Sequence, residues 1–187
     1  MARCYSGAMP KRQSALPAIW LVSDARNDAS LEGALAKLPR GSGLVYRHYH
    51  LDPTQRRRRF CRLARVARRY GHLVILSGTP REARRWQADG SYGAPAKAGA
   101  ILRLVTAHSL AEIGAARRAC ADAVVLSPVF ATRSHPGAPM LGALRFRILT
   151  ARAGLPVIAL GGMTAARARQ VGAVRWAAID GLIPKDS

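Results

Sequence analysis

The chain is poor in acidic residues, in cysteine and in long hydrophobic runs. Ten of its 187 residues are Asp or Glu, against 30 Lys and Arg, which gives a formal net charge of +20. The three cysteines, Cys4, Cys61 and Cys120, are widely spaced and odd in number. They therefore predict neither a disulfide framework nor a zinc motif, and they indicate a reducing, cytoplasmic location. Because no apolar run approaches the roughly 20 residues of a membrane span, the sequence predicts no membrane partner.

The chain has enough apolar sequence for one domain. Hydrophobic residues make up 49% of it, which is typical of a globular chain and not of a disordered one. The first 17 residues carry basic side chains without the continuous apolar core of a signal peptide. We interpret residues 1–17 as a mobile tail and residues 18–187 as a single domain.

Arginine is abundant and lysine is scarce. Only four of the 30 basic residues are lysine, and the arginines are scattered over nearly every predicted helix. This distribution favours a compositional bias, with the charges on solvated helix faces, although a net charge of this size is also typical of proteins that bind anions or nucleic acid. The four arginines at positions 56–59 lie at the start of a predicted helix, where cations oppose the helix dipole. For them too we favour a solvated face over a contact with phosphate or RNA.

Short apolar segments alternate with amphipathic segments along the domain. The apolar segments predict buried strands at residues 18–23, 43–49, 72–76, 88–92, 100–105, 123–126, 156–160 and 172–179. The segments between them predict helices at residues 30–38, with Ser30 as the cap, and at residues 54–70, 81–87, 110–120, 141–153 and 164–170. Eight strands in this alternation indicate a single (β/α)8 TIM barrel with a parallel sheet. The connection at residues 94–98 and the end of the chain leave room only for reduced helices after strands 4 and 8.

Polar loops follow the sixth and seventh predicted strands. The sixth strand ends at Ser127-Pro128, and a basic loop rich in turn residues follows, with Thr132 in it. The seventh strand ends at the pair Gly161-Gly162. Barrel enzymes place their sites in loops at the carboxyl ends of strands. We therefore expect these two strands to be adjacent, parallel and almost fully buried, with a site above them.

A histidine follows the fifth predicted strand. Ser109 and Glu112 have the spacing of a capping box, which gives both a structural role at the start of the next helix. His108 has no such role, and it lies between a strand end and a helix start, where barrel enzymes place catalytic groups. His108 is therefore the candidate catalytic residue.

These segments resemble the thiamine phosphate synthase/TenI family, whose members are (β/α)8 barrels. Family members carry a Gly-Pro-Val-Phe-x-Thr segment, which residues 127–132 match, and a Gly-Gly-Ile or Gly-Gly-Met turn, which residues 161–163 match. The resemblance is good over residues 101–182 and weak over residues 18–92. It implies a role in thiamine metabolism.

Departures from the synthase pattern argue against the synthase reaction itself. Synthases join a pyrimidine diphosphate to a thiazole phosphate, and they hold the diphosphate with a Gln-x-Arg-Glu-Lys motif of which only Arg47 is present here. Their magnesium-binding residues after strands three and four align with Ser77-Gly78 and with residues 93–95, which contain no carboxylate. Because Mg²⁺ is bound by carboxylates together with substrate phosphates, we expect no metal site.

TenI-like members are the closer match, since they also lack the metal-binding aspartates and carry a His-Ser pair at the end of strand five. The resemblance implies tautomerisation of a thiazole carboxylate phosphate without a cofactor. His108 would transfer the proton, because an imidazole gives and takes protons near neutral pH. Arg47 would bind the substrate carboxylate, and Thr132 would lie near the thiazole. Gly161 and Gly162 would present backbone N–H groups to the phosphate.

Three functions are compatible with this pattern. We favour a TenI-like isomerase acting on a phosphorylated thiazole, with His48 as the next candidate after His108. The second is a thiamine phosphate synthase in which arginine and tyrosine replace the lysine and the metal of the diphosphate site. The third is a barrel without catalysis that binds an anionic ligand or RNA, whose arginines should cluster on one face. A homo-oligomer is compatible with each of them.

One position departs from the family pattern. Asp180 aligns with a serine that donates to the phosphate in family members. A carboxylate beside a phosphate dianion is repulsive unless a cation lies between them. Nearby arginine, a shifted alignment or loss of phosphate binding would each account for Asp180.

Overall fold

Eight short parallel strands pair in chain order, and the last pairs with the first. A computed structural model describes this arrangement for residues 16–95, 101–134, 137 and 139–183. The strands are β1 (Ile19–Val22), β2 (Gly43–Tyr46), β3 (Leu73–Ser77), β4 (Gly90–Gly93), β5 (Leu102–Ala107), β6 (Ala123–Leu126), β7 (Val157–Ala159) and β8 (Trp176–Ala178). The helices between them are α1 (Leu31–Lys37), α2 (Pro53–Arg69), α3 (Pro80–Arg85), α4 (Leu110–Arg118), α5 (Gly142–Arg152) and α6 (Ala165–Val171). The closed barrel confirms the predicted (β/α)8 fold.

Two strands are shorter than predicted by three residues or more, because their ends leave the hydrogen-bonded ladder. β2 stops at Tyr46, and His48 adopts a left-handed backbone conformation with φ of 42°. The predicted start of β8 is wrong as well, since Gly172 caps α6 with φ of 69° and the strand begins only at Trp176. Past the end of β2 the side chains still point to opposite sides, with Arg47 at the barrel mouth and His48 buried.

Two of the six helices begin at the residues that their capping patterns predict. Ser109 and Thr164 accept the backbone N–H of Glu112 and Arg167, respectively. The prediction that Ser30 caps the first helix is wrong, because its side chain makes no capping hydrogen bond. The chain instead enters α1 from a 3-10 helix, Ala25–Ser30, which is capped by Asp24.

The core has an inner and an outer layer, because successive strand residues point to opposite faces of the sheet. One apolar cluster fills the barrel interior, and two more lie between the sheet and the helices. β6 and β7 pair in parallel, with Val124 opposite Val157, as predicted. β6 is buried throughout, whereas Val157 and Leu160 are half-buried.

The folded body begins no later than Leu16. This side chain is buried in the barrel interior, and the carbonyl of Pro17 accepts the indole N–H of Trp20 at 2.8 Å. The last two residues of the predicted tail therefore pack against the barrel, while residues 1–15 lie outside the described part of the chain. Most of the predicted reduced connection after β4, and the last four residues, also lie outside it. No helix in the described ranges is both long and apolar enough to cross a bilayer.

Candidate functional site

A cleft of about 960 Å³ lies at the carboxyl ends of the strands. The ends of β2, β4 to β8 and the loops that follow them form its walls. All five residues that the sequence predicts for the site line this one cleft: Arg47, His108, Thr132, Gly161 and Gly162. The fold therefore brings the predicted residues together, while their roles in a reaction stay predictions.

His108 is held by two contacts at the mouth of the barrel. Its backbone N–H donates to Glu112 Oε2 at 2.7 Å, and its Nδ1 is hydrogen-bonded to the carbonyl oxygen of Ser127. Because a carbonyl can only accept a hydrogen bond, Nδ1 carries a proton and the lone pair of the neutral ring lies on Nε2. No group in the described part of the chain forms a hydrogen bond with Nε2. The imidazole can therefore accept a proton from a ligand at that atom.

The turn after β7 requires glycine at both positions. Gly161 and Gly162 have φ of 96° and 60°, which other residues rarely adopt. A Cβ at Gly161 would lie 2.6 Å from the Cα of Pro128, and one at Gly162 would lie 2.4 Å from the carbonyl oxygen of Ala131. The turn thus packs directly on the loop after β6. Neither glycine N–H donates to another group of the described residues, so both are available to an anion.

Asp180 has two cations beside it. Its Oδ2 lies 3.1 Å from Arg133 and 3.7 Å from Arg26. Arg26 also donates to Ser134 at 2.8 Å, which links the loop after β1 to the loop after β6. Of the three explanations for this carboxylate, the structure supports compensation by nearby arginine.

The opposite side of the mouth, at the ends of β2 and β3, is filled by the chain's own side chains. Arg56 donates to the carbonyl oxygens of Arg47 at 2.9 Å and of Ser77 at 2.6 Å, and it pairs with Glu82 at 3.2 Å. The hydroxyl of Tyr49 is hydrogen-bonded to Ser77 Oγ. These groups occupy the strand ends at which a synthase would hold its metal and diphosphate.

The donors at these strand ends do not fit a magnesium ion. Ser77 contributes a hydroxyl that is already hydrogen-bonded, and the one nearby carboxylate, Glu82, is paired with Arg56. Within the described residues there is no group of three or more His, Cys, Asp or Glu side chains that could hold a metal ion. Mg²⁺ is bound by oxygens, usually including free carboxylates, and this region offers none.

A chain of hydrogen bonds behind the cleft wall positions Arg47. The Arg47 N–H donates to Ser23 Oγ at 2.8 Å, Ser23 is bonded to His48 Nδ1 at 2.8 Å, and His48 Nε2 is bonded to Asp28 at 2.7 Å. Burial lowers the pKa of His48 despite the opposing effect of Asp28, which favours a neutral ring that donates from Nε2 and accepts at Nδ1. Because both nitrogens are engaged and the side chain is buried, His48 is not placed to act as a base, and its candidacy is not supported.

Asp28 also belongs to an ion pair with α2. Arg59 donates to Asp28 Oδ1 at 2.6 Å and to Glu32 Oε2 at 2.9 Å. Burial raises the pKa of Asp28, but the hydrogen bonds from His48 and Arg59 outweigh it and hold that pKa below its usual value. The hydrogen bond from Arg59 likewise lowers the pKa of Glu32. Both carboxylates are therefore charged at neutral pH.

The arginine run at positions 56–59 thus divides into two pairs. Arg56 and Arg59 have side chains only 12% and 8% exposed and are paired with carboxylates, so the prediction of a solvated face is wrong for them. Arg57 and Arg58 are exposed, as predicted. The helical repeat explains the difference, because only two of four successive residues can face the barrel.

Several cleft residues were not found by sequence reasoning. They include Tyr92, Thr106, Ser127, Met140 and Arg145. Burial raises the pKa of Tyr92 to about 12, although the charge of Arg47 opposes the shift, so its phenol stays protonated. The position of Tyr92 at the end of the predicted fourth strand was the one available signal. Arg145 reaches the cleft from α5, and no local pattern indicates this.

Comparison with known proteins places the chain among thiamine-related barrels. A model of the thiamine monophosphate synthase family matches residues 19–182. "Putative thiamine-phosphate synthase 2" of Aquifex aeolicus (strain VF5) is 41% identical over 59 residues, a match that spans about a third of each protein, 32% of this chain and 32% of that one.

Solved structures share the fold. Thiamine phosphate pyrophosphorylase from Pyrococcus furiosus superposes with a TM-score of 0.75 at 21% identity, covering 90% of this chain and 87% of that one. The FabK structure from Thermotoga maritima gives 0.68 at 16% identity, covering 91% and 61%. At such low identity these likenesses show the barrel alone. The match of the family model over nearly the whole barrel shows more, and the chain belongs to the thiamine monophosphate synthase family.

Proposed function

We propose that this protein is a TenI-like isomerase that tautomerises a phosphorylated thiazole carboxylate, with His108 as the acid and base. The observation that carries the proposal is the state of the His108 ring. Its Nδ1 is held by the Ser127 carbonyl, and its Nε2 is left unpaired at a cleft in the described structure. A tautomerisation needs one group that removes a proton and returns it at another position, and an imidazole does both near neutral pH.

The hydrogen bond to Ser127 supports this role in both protonation states. In the neutral ring it directs the lone pair to Nε2, which takes the proton from the substrate. When Nε2 has been protonated, the carbonyl oxygen of Ser127 stabilises the imidazolium through the Nδ1–H. The same Nε2–H then returns the proton, so no atoms are gained or lost.

The charge of the cleft suits a substrate with two anionic groups. Four arginines line it, Arg47, Arg133, Arg145 and Arg167, against one carboxylate, Asp180. Arg47 would bind the substrate carboxylate with its forked guanidinium. The free N–H groups of the Gly161-Gly162 turn would receive the phosphate, and Thr132 would offer a hydroxyl near the ring.

The filled end of the mouth favours an isomerase over a synthase. Transfer of a pyrimidine group from a diphosphate needs a cation that neutralises the leaving group. Arg56 donates hydrogen bonds to two carbonyl oxygens and forms an ion pair with Glu82. It is therefore not free to replace that cation. We therefore expect no magnesium-dependent release of pyrophosphate.

The test is the pair of variants His108→Gln and His50→Gln, assayed for conversion of the thiazole carboxylate phosphate to its aromatic tautomer. General acid–base catalysis contributes about 10²- to 10⁴-fold, and we expect His108→Gln to lose at least the lower figure. Folding should be unchanged, because the bond to Glu112 uses the backbone N–H of residue 108. His50, which is exposed and does not line the cleft, serves as the matched control.

Two results would contradict the proposal. Full tautomerase activity in His108→Gln would remove this residue from the mechanism. Robust synthase turnover that depends on Mg²⁺ would instead support a rebuilt diphosphate site.

A further inference from the structure

We propose that the outer face of α2 and α3 binds the phosphate backbone of a nucleic-acid duplex. This basic face is defined by nine exposed arginines: Arg57, Arg58, Arg62, Arg65, Arg68, Arg69, Arg81, Arg84 and Arg85. It lies on the outer surface of the barrel, and none of its residues lines the cleft. The inference is therefore independent of the proposed reaction.

The nine arginines belong to one continuous surface because α2 and α3 lie side by side. The rings of Phe60 on α2 and Trp86 at the end of α3 are 5.2 Å apart. Arg68 is hydrogen-bonded to the carbonyl oxygen of Gln87, at the far end of the pair. Arg56 and Glu82 join the two helices near their starts. Contacts near both ends of the pair therefore hold the two helices next to each other.

No free negative charge interrupts this face within the two helices. α2 contains no Asp or Glu, and the single carboxylate of α3, Glu82, is paired with Arg56. The remaining cation of the run, Arg59, points to the other side and neutralises Asp28 and Glu32. No carboxylate of the two helices therefore neutralises the positive charge of the basic face. That charge attracts a polyanion and raises its local concentration.

The spacing along α2 suits an extended polyanion. Arg58, Arg62, Arg65 and Arg69 are separated by four, three and four residues, which places them along one side of the helix. Eleven residues of helix extend about 16 Å, and this equals about five base pairs of a duplex at 3.4 Å each. Several phosphates can therefore contact this row at once.

The character of the face favours a duplex over a single strand or a membrane. Binding of single strands relies on aromatic side chains on which bases stack, and interfacial helices insert exposed apolar side chains into lipid. The large exposed hydrophobic residues of the described chain are Tyr49, Leu110, Met140, Leu144, Ile148 and Val174, none of them on α2 or α3. Guanidinium groups bind phosphates directly, and they need neither stacked bases nor inserted apolar side chains.

The opposite side of the barrel provides a matched control. α4, α5 and α6 carry seven exposed arginines spread over three helices, and two of these, Arg145 and Arg167, line the cleft. Arg147 is bonded to carbonyl oxygens at the end of α6. Four remain on the outer surface: Arg117, Arg118, Arg152 and Arg169. Replacing them changes the net charge as much as replacing four arginines of the basic face.

The experiment compares two quadruple variants of the full chain with the wild type. The face variant carries Arg58→Gln, Arg62→Gln, Arg65→Gln and Arg84→Gln, and the control variant carries Arg117→Gln, Arg118→Gln, Arg152→Gln and Arg169→Gln. Fluorescence anisotropy would follow binding to a mixed-sequence DNA duplex of about 24 base pairs at salt concentrations from about 50 to 200 mM. Circular dichroism would check that each variant folds, and Arg58→Gln alone would be measured as a minimal change.

We expect the face variant to lose at least about 100-fold in affinity at 0.1 M salt, with a salt slope lower by about 3.6, because each of four phosphate contacts contributes about 0.9 to that slope. The control variant should change affinity by less than about threefold, and Arg58→Gln should lower the slope by about one. Equal losses in the two quadruple variants would overturn the proposal, since affinity would then follow net charge alone. Tighter binding to single-stranded DNA or to phosphatidylserine vesicles would overturn the choice of a duplex, and so would a wild type that binds none of these probes.

Discussion

The two halves of the barrel mouth use the same kind of strand end in opposite ways. At β2 and β3, long side chains such as Arg56 and Tyr49 fold over the strand ends and satisfy the exposed carbonyls and hydroxyls. At β5 to β8, the strand ends carry small residues and a glycine pair, and donors such as the Gly162 N–H have no partner in the described chain. The comparison teaches that a cleft persists where the chain does not satisfy its own polar groups.

This difference predicts that the side chains that stabilise the barrel mouth are not the ones that act on a substrate. We expect substitutions of the side chains that fill the mouth, such as Arg56, to change the free energy of unfolding and to leave turnover nearly unchanged. Substitutions of side chains that line the cleft, such as Arg47 after β2, should do the reverse. The four predictions below test that separation, beginning with the largest expected effect.

Arg59→Met should lower the free energy of unfolding by about 2 to 3 kcal/mol. The change leaves Asp28 and Glu32 without their cation, and the loss is below that of a fully buried pair because these carboxylates are 34% and 40% exposed. Urea denaturation would measure it, with Arg58→Met, an exposed neighbour on the same helix, expected to change stability by less than about 0.5 kcal/mol. Similar losses in the two variants would show that the ion pair of Arg59 contributes no more to stability than an exposed arginine does.

Arg47→Gln should lower kcat/KM for the tautomerisation by about 10- to 100-fold, the value of a hydrogen bond to a charged group. Stability should change by less than about 1 kcal/mol, because the described contacts of Arg47 use its backbone and a distant Tyr49 ring. Steady-state kinetics and urea denaturation on the same samples would check both figures. If Arg47→Gln were largely unfolded, and its folded fraction kept the kinetics of the wild type, the proposed separation of stability from activity would be wrong.

Ser23→Ala should lower the free energy of unfolding by about 1 to 2 kcal/mol, because it leaves the Arg47 N–H and His48 Nδ1 without a partner. It should also raise KM a few-fold, since the Arg47 backbone loses the hydrogen bond to Ser23 that positions it in the cleft wall. The control is Ser134→Ala, whose hydroxyl bonds an exposed arginine and should contribute less than about 0.5 kcal/mol. Unchanged KM together with the stability loss would confine the role of Ser23 to folding.

Acidification from pH 7 to 5 should lower stability through His48. Its pKa is lowered in the folded state by burial, against the opposing effect of Asp28, so the unfolded chain binds this proton first. The contribution of His48 to stability is complete above the pKa of histidine in the unfolded chain, about 6.5. It is lost as the pH falls below that value. The lowered pKa values of Asp28 and Glu32 affect stability only below about pH 5.

Urea denaturation at several pH values would measure this effect in the wild type and in His48→Gln. The variant should show a flatter dependence on pH between 7 and 5. An identical dependence in both proteins would assign the titration to another group.

The fold and four of the five cleft residues could be predicted from the sequence for local reasons, whereas Arg47 was predicted only through the family resemblance. Buried parallel strands are apolar throughout, so short apolar runs located β6 and β7. His108 and the Gly161-Gly162 turn follow strands directly, and the carboxyl ends of parallel strands meet at one edge of a barrel. Ser109 and Thr164 cap helices through atoms only three residues away, which a short window of sequence contains.

The closing of one half of the mouth was decided by the tertiary structure alone. Arg56 and Arg58 are equivalent in the sequence, yet one is packed between carbonyls and aromatic rings and the other is exposed. Asp28 meets His48 and Arg59 only because three separate elements converge. The physical reason is that apolar periodicity is encoded within an element, whereas the partner of a long charged side chain depends on which elements the barrel places beside it.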